Sequence, residues 1–139
     1  MATGVSVNDQ VKEQFEAFKL HREPYNHRFY IYKIDELEVV IEKVGEKEKT
    51  YDDFCECLPP NECRYGLFDL EFETLDGRPT SKLVFITWTP DTAKIKNKMV
   101  YAGSKQAVKS ALPGVGVHLQ ATDQSELDRD HIISQVQRV

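Results

Sequence analysis

Hydrophobic and polar residues alternate with two distinct periods along this chain. Apolar residues recur at helical spacing after Asn8, which predicts an amphipathic helix capped by Asn8 and ended by Pro24. Period-two alternation, typical of half-buried strands, recurs in four segments with turns near residues 35–36 and at Asp76-Gly77. The predicted strands cover residues 28–34, 37–44, 63–73 and 115–121. A short helix beginning at Thr50 and a final helix capped by Asp123 or Ser125 complete the pattern.

The segment from Lys82 to Leu112 organises the rest of the chain. It begins with Leu83–Trp88, six consecutive uncharged residues that predict a strand covered on both faces. Pro90 ends this strand, and Asp91 or Thr92 is expected to cap a long helix that runs to Leu112. With the strand over 115–121, this helix should form a right-handed crossover between two parallel strands.

The order of predicted elements is α-β-β-α-β-β-α-β-α, which indicates an α/β fold of the α+β type. We expect one domain over residues 1–139, with a five-stranded mixed sheet flanked by helices on both faces. Residues 1–7 are expected to form a flexible arm before the first helix. The composition, 40% hydrophobic and 29% charged, is typical of a globular domain.

The long helix is unusual in its charge. The chain has a formal net charge of −5, yet residues 92–112 contain five lysines and no acid. At about 100° per residue, four lysines share one sector, which we expect to face outward, while small and apolar residues pack on the sheet. The outward set is Lys94, Lys98, Lys105 and Lys109; the packed set is Ala93, Met99, Val100, Gly103, Ala107 and Ala111. Lys96 would point inward unless the helix bends at Gly103-Ser104. The row of lysines is either a solvated face or a docking surface for an acidic partner or an anionic membrane.

Other chemical signals are weak. The spacing of Cys55, Cys57 and Cys63 does not match a structural zinc site, so we expect buried or half-buried free thiols in a reducing compartment. The first residues lack the pattern of a secretory signal.

The sequence lacks phosphate-binding, dinucleotide-binding and hydrolase motifs, so no enzymatic activity, cofactor or metal is expected. The acidic net charge and the core-like spacing of aromatic residues argue against nucleic-acid binding.

Three segments together resemble the actin-depolymerising factor/cofilin family. They are YGLFDLEF (Tyr65–Phe72), FITWTPD (Phe85–Asp91) and IKNKMVY (Ile95–Tyr101). The resemblance covers nearly the whole chain and implies a monomeric actin-depolymerising-factor homology domain of the cytoplasm and cytoskeleton. Such a domain binds actin monomers, preferentially with ADP, and severs and depolymerises filaments. Two alternatives stay open: a homology domain that binds actin or an actin-related complex with weak or no severing, and a phosphoinositide-responsive membrane-surface module.

The resemblance also assigns residues to functions. The monomer-binding set is Thr3, Gly4, Val5, Ser6, Lys96, Lys98, Met99, Lys105 and Lys109. The filament-binding set is Arg78, Lys82 and Arg138. The phosphoinositide-binding set comes from the row of lysines on the long helix and is Lys94, Lys98, Lys105 and Lys109; the resemblance adds that relatives are inhibited by such lipids. Phosphorylation is expected at Thr3 or the nearby Ser6, where it would add negative charge to the arm. Ser134-Gln135 stands where relatives often carry Glu-Arg, so we expect this chain to differ more in severing than in monomer binding.

Overall fold

Six strands form a single mixed sheet in the computed structural model, which describes residues 4–137. The strands are β1 (Ser6–Val7), β2 (Phe29–Asp35), β3 (Glu38–Gly45), β4 (Arg64–Glu73), β5 (Pro79–Trp88) and β6 (Val117–Ala121). Their order across the sheet is β1-β3-β2-β4-β5-β6. The central pairs are antiparallel, whereas β1 and β6 lie parallel to their neighbours β3 and β5. Five strands were predicted; the additional strand, β1, lies in the segment expected to be a flexible arm.

Four α helices cover the sheet, and their ends show which capping predictions hold. The helices are α1 (Asp9–Lys19), α2 (Tyr51–Glu56), α3 (Ile95–Ala111) and α4 (Arg129–Val136), with a 3₁₀ turn at Gln124–Leu127. Asn8 accepts the Gln10 N–H at 2.8 Å, and Thr50 forms a capping box with Asp53, as predicted. At the last helix, Asp123 caps the 3₁₀ turn instead, and Asp128 caps α4.

The start of α3 differs from the prediction. The helix begins at Ile95, and Lys94 is its N-cap without a side-chain hydrogen bond, so capping by Asp91 or Thr92 was wrong. The Thr92 hydroxyl instead donates to the carbonyl of Pro60 at 3.1 Å and approaches the Asn61 amide oxygen at 2.6 Å. These contacts hold the segment before α3 against the α2–β4 connection and explain why it is not helical.

The core divides into two clusters, one on each face of the sheet. Helices α1 and α3 pack on the face that carries Tyr65, Leu67 and Phe85. Helices α2 and α4 pack on the face that carries Phe68 and Leu70. The alternation predicted along residues 63–73 is therefore confirmed, as is the coverage of both faces by helices. Within residues 4–137, none of the helices combines the length and the apolar character needed to cross a bilayer.

Close packing at Gly66 gives a test of the α2 face. An added Cβ at Gly66 would overlap the ring of Phe54, whereas at Gly116 it would meet no atom within 4 Å. Because overpacking a dense core forces side chains off their preferred rotamers, we expect Gly66→Ala to lower the free energy of unfolding by about 1–3 kcal/mol. The control Gly116→Ala should change it by less than about 0.5 kcal/mol. Urea unfolding measures both, and equal effects would show that the Phe54 contact is not tight.

Candidate functional site

The outward face of α3 includes three residues that we predicted to be packed. Met99, Gly103 and Ala107 are exposed, while the helix buries Tyr101, Ser104 and Val108. Two large hydrophobic side chains near the start of the helix are the most exposed: Ile95 is 72% and Met99 68% accessible. The predicted packed face was therefore wrong for Met99, Gly103 and Ala107, whereas Ala93 is buried and Val100 and Ala111 are half-buried. The helix has few large apolar residues, and the side that rests on the sheet carries Tyr101, Ser104 and Val108.

Tyr101 fixes the rotation of α3 through contacts with two strands. Its hydroxyl accepts the backbone N–H of Ile34 in β2 at 2.9 Å, and its ring lies 5.0 Å from that of Tyr65 in β4. The Tyr65 hydroxyl in turn donates to the Tyr101 carbonyl at 2.5 Å. Burial raises the pKa of Tyr101, so its hydroxyl stays protonated at neutral pH. With the helix held in this rotation about its axis, Lys96 and Met99 point away from the sheet.

Lys96 is exposed on a continuous helix, so no bend at Gly103-Ser104 is needed to turn it outward. The four lysines that we expected to face outward instead follow one border of the packed face. Lys94 is exposed at the N-cap, whereas Lys98, Lys105 and Lys109 are half-buried. The Lys98 amine donates to the carbonyl of Asp91 at 3.1 Å, a contact that supports the chain just before the helix.

The N-terminal segment lies beside the second half of α3. The Ser6 N–H donates to the carbonyl of Leu37 at 3.0 Å, and β1 pairs with β3 from there. Val5, Ser6 and Val7 line an open groove together with three residues of α3, which are Ala107, Ser110 and Ala111. The fold thus brings Val5 and Ser6 to the second half of the helix that carries Lys96 and Met99 near its start. Gly4 is exposed with a φ of 76°, and Thr3 lies outside the described residues.

An ion pair supports the sheet beneath the start of α3. Arg64 in β4 reaches over β2 to Glu42 in β3, with Nε and Nη2 at 2.8 and 3.2 Å from the two carboxylate oxygens. Arg64 also lines a shallow pocket with Asn97 and Tyr101 of α3. The hydrogen bond from Arg64 lowers the pKa of Glu42, against an opposing effect of partial burial.

The Glu42–Arg64 pair predicts a pH dependence of stability. The pKa of Glu42 is lower in the folded protein than its value of 4.5 in the unfolded chain. The ion pair therefore contributes fully to stability when the pH is above 4.5, and this contribution is lost as the pH falls through the pKa of the folded protein. We expect Glu42→Gln to lower the free energy of unfolding by about 1–3 kcal/mol at pH 7, with a smaller difference at pH 3.5. Urea unfolding of both proteins at pH 7 and pH 3.5 measures this difference in free energy. A larger difference at pH 3.5 than at pH 7 would contradict the prediction.

The predicted filament-binding residues lie at another part of the molecule. Arg78 is exposed in the β4–β5 hairpin and pairs with Asp76 at 3.1 Å, while Lys82 is half-buried further along β5. β5 is 10 residues long, so the hairpin lies about 30 Å from the strand end that leads to α3. The structure therefore separates Arg78 from Lys96 and Met99.

Leu75 at the tip of this hairpin was missed by sequence reasoning. It is 82% exposed. The sequence did contain a signal for an exposed residue, since Leu75 is a large hydrophobic residue directly before the turn residues Asp76-Gly77. Helix α4 borders the hairpin, since Gln137 donates to the carbonyl of Glu73 at 2.7 Å. Ser134 is exposed and Gln135 half-buried on this helix, and Arg138 lies outside the described residues.

Comparison with known proteins identifies related chains. A family model described as cofilin/tropomyosin-type actin-binding protein matches residues 4–137. Actin-depolymerizing factor 3 of Arabidopsis thaliana is 46% identical over 131 residues, which is 93% of this chain and 92% of its own. Actin-depolymerizing factor 7 of Oryza sativa subsp. japonica is 48% identical over 133 residues, 94% of each chain. The crystal structure of Streptomyces griseoflavus cofilin has a TM-score of 0.87 at 36% identity, covering 97% of this chain and 98% of its own.

Proposed function

Because this chain belongs to the family of cofilin/tropomyosin-type actin-binding proteins, we propose that it binds actin monomers and filaments and promotes filament severing and depolymerisation. The observation that carries this proposal is the outward face of α3. Exposed hydrophobic side chains that lie together on a folded domain mark interaction sites. Ile95 and Met99 are exposed on this face beside the cationic Lys96, and the N-terminal segment adjoins it.

Each exposed residue of this face has a distinct role in the proposed contact. Met99 and Ile95 supply apolar area, and the flexible thioether of Met99 adapts to the shape of the partner. Lys96 pairs with an acidic side chain of actin, which fixes the register of the contact. Gly103 and Ala107 carry little bulk, so the actin surface approaches the helix closely there.

The remaining lysines of the monomer-binding set act less directly in this proposal. Lys98 donates to the Asp91 carbonyl, so its main effect is to position the helix start. Lys105 and Lys109 lie at the border of the packed face, half-buried, where their charges raise the positive potential that attracts an acidic partner.

Two separated surfaces explain how one domain acts on a filament. We propose that α3 and the N-terminal segment bind one actin subunit, while the hairpin with Leu75 and Arg78, Lys82 and the adjoining α4 bind its neighbour. A protein that binds one filament geometry more tightly than another shifts the filament toward that geometry. The boundary between altered and unaltered segments is then the place where the filament breaks. A preference for ADP-bound actin follows if those subunits adopt the favoured geometry more readily.

Co-sedimentation with actin, together with imaging of labelled filaments, tests the proposal. We expect the protein to pellet with filaments, to cut them, and to bind monomers carrying ADP more tightly than those carrying ATP. Absence of binding to both monomer and filament would contradict the proposal. Binding without cuts would favour the alternative of a weakly severing homology domain. In that case Ser134→Glu combined with Gln135→Arg should increase the number of cuts.

A second candidate function is regulation by anionic lipid. Lys94, Lys98, Lys105 and Lys109 follow one border of α3 in a helix without acidic residues. Burial, with the charges of Lys109 and Lys105, lowers the pKa of the neighbouring His118, which indicates a positive potential there. We propose that phosphoinositide vesicles bind this border. Lys105→Glu with Lys109→Glu should abolish vesicle binding, and unchanged binding would exclude the site.

Phosphorylation of the N-terminal segment would weaken the actin contact in this proposal. Ser6 is exposed and lies beside the outward face of α3. A phosphate adds about −1.5 to −2 charge, which an acidic partner surface repels. Thr3 is proposed as the other site of modification. We further propose that the protein acts in the cytoplasm and cytoskeleton as a monomer, without catalysis or a cofactor.

A further inference from the structure

The β2–β3 hairpin contains an unusual leucine. Its two loop residues, Glu36 and Leu37, have positive φ angles of 47° and 65°. Two-residue hairpin loops often require this conformation, but asparagine and glycine are the residues that adopt it readily. A bulky residue there is an outlier. Leu37 is also 58% exposed, so burial in the isolated domain does not offset the backbone cost.

Leu37 adjoins the surface that we propose for actin. Its carbonyl accepts the Ser6 N–H at 3.0 Å, so the N-terminal segment lies directly beside the loop. On the other side, Asp35 lines a shallow pocket together with Asn97 and Tyr101 of α3. The loop thus lies between the N-terminal segment and the start of α3.

We propose that Leu37 is a further apolar anchor of the actin contact, alongside Ile95 and Met99. The inference rests on the proposed function and extends its surface to a third element of the fold. A two-residue loop holds the side chain in one orientation, so little conformational freedom is lost on binding. Asp35, Glu36 and Glu38 surround the leucine, with Glu38 accepting a hydrogen bond from Asn8 at 3.1 Å. The site on actin that we propose for this leucine is an apolar recess.

The test is to replace the leucine with a residue that suits the loop. Asparagine tolerates positive φ, so we expect Leu37→Asn to keep or raise the urea midpoint while weakening monomer binding by about fivefold or more. The matched control Glu36→Asn relieves the same loop but keeps the leucine, and its affinity should stay within about twofold of wild type. Leu37→Met retains an apolar side chain and should preserve most of the affinity. Titration of fluorescently labelled actin monomers measures all four proteins.

The possible outcomes separate this inference from the proposed function. If the wild-type protein does not bind actin, the proposed function fails and the inference fails with it. If the wild type binds and Leu37→Asn binds equally well, only the inference is overturned. Equal losses in Leu37→Asn and Glu36→Asn would assign the effect to loop conformation or charge, and a loss in Leu37→Met equal to that in Leu37→Asn would exclude an apolar anchor.

Discussion

Replacing Lys96 and Met99 together by glutamate is expected to weaken binding to actin monomers by at least about 100-fold. The double change removes a cation and an apolar anchor and places two negative charges against an acidic partner. Residues at the centre of an interface often contribute about 2 kcal/mol or more each, and 1.4 kcal/mol corresponds to a tenfold change in affinity. Both side chains are exposed, and neither forms a side-chain hydrogen bond with another residue of the described range 4–137, so the fold should be retained.

The control for this prediction carries the same change in charge on another surface. Val44 and Lys49 are exposed and line a groove beside α2, which covers the other face of the sheet. Val44→Glu with Lys49→Glu should leave the affinity within about threefold of wild type. Monomer titration and thermal unfolding of both double variants provide the comparison. Similar losses in the two proteins would mean that overall charge, and not the outward face of α3, controls binding.

Leu75→Glu combined with Arg78→Glu is expected to abolish severing and to weaken filament binding by about tenfold or more, while monomer binding stays within about twofold. The hairpin lies about 30 Å from the strand end that precedes α3, so changes at its tip are remote from Ile95, Lys96 and Met99. The Arg78–Asp76 ion pair is exposed, and exposed pairs contribute little to folding stability.

Two assays on the same hairpin variant decide this second prediction. Co-sedimentation reports filament binding, and titration of labelled monomers reports the other surface. The Lys96→Glu/Met99→Glu variant is the matched comparison, because it should lose activity in both assays. A parallel loss of monomer and filament binding in the hairpin variant would show that the two surfaces are not independent.

The sequence by itself determined most of the sheet and the starts of two helices. Strict alternation over residues 63–73 assigned Phe68 and Leu70 to one face and Tyr65 and Leu67 to the other, because side chains in a strand alternate with a period of two. Asn8 and the Thr50–Asp53 pair marked helix starts through local hydrogen bonds. The motifs around Phe85–Tyr101 were also sufficient for the family resemblance, since a motif needs no knowledge of packing.

Only the tertiary structure decided which face of α3 meets the partner. Tyr101 and Val108 lie on the buried side of the helix, whereas Ile95 and Met99 are exposed. Large apolar residues thus occur on both sides, so the periodicity of the helix does not specify the packed side. Tyr101 specifies it by bonding to Ile34, which is 67 residues away in sequence. β1 and the position of Leu37 were likewise beyond local patterns, because the Ser6 to Leu37 hydrogen bond joins distant segments. Contacts between distant residues determine the orientation of the site, and local periodicity contains no information about them.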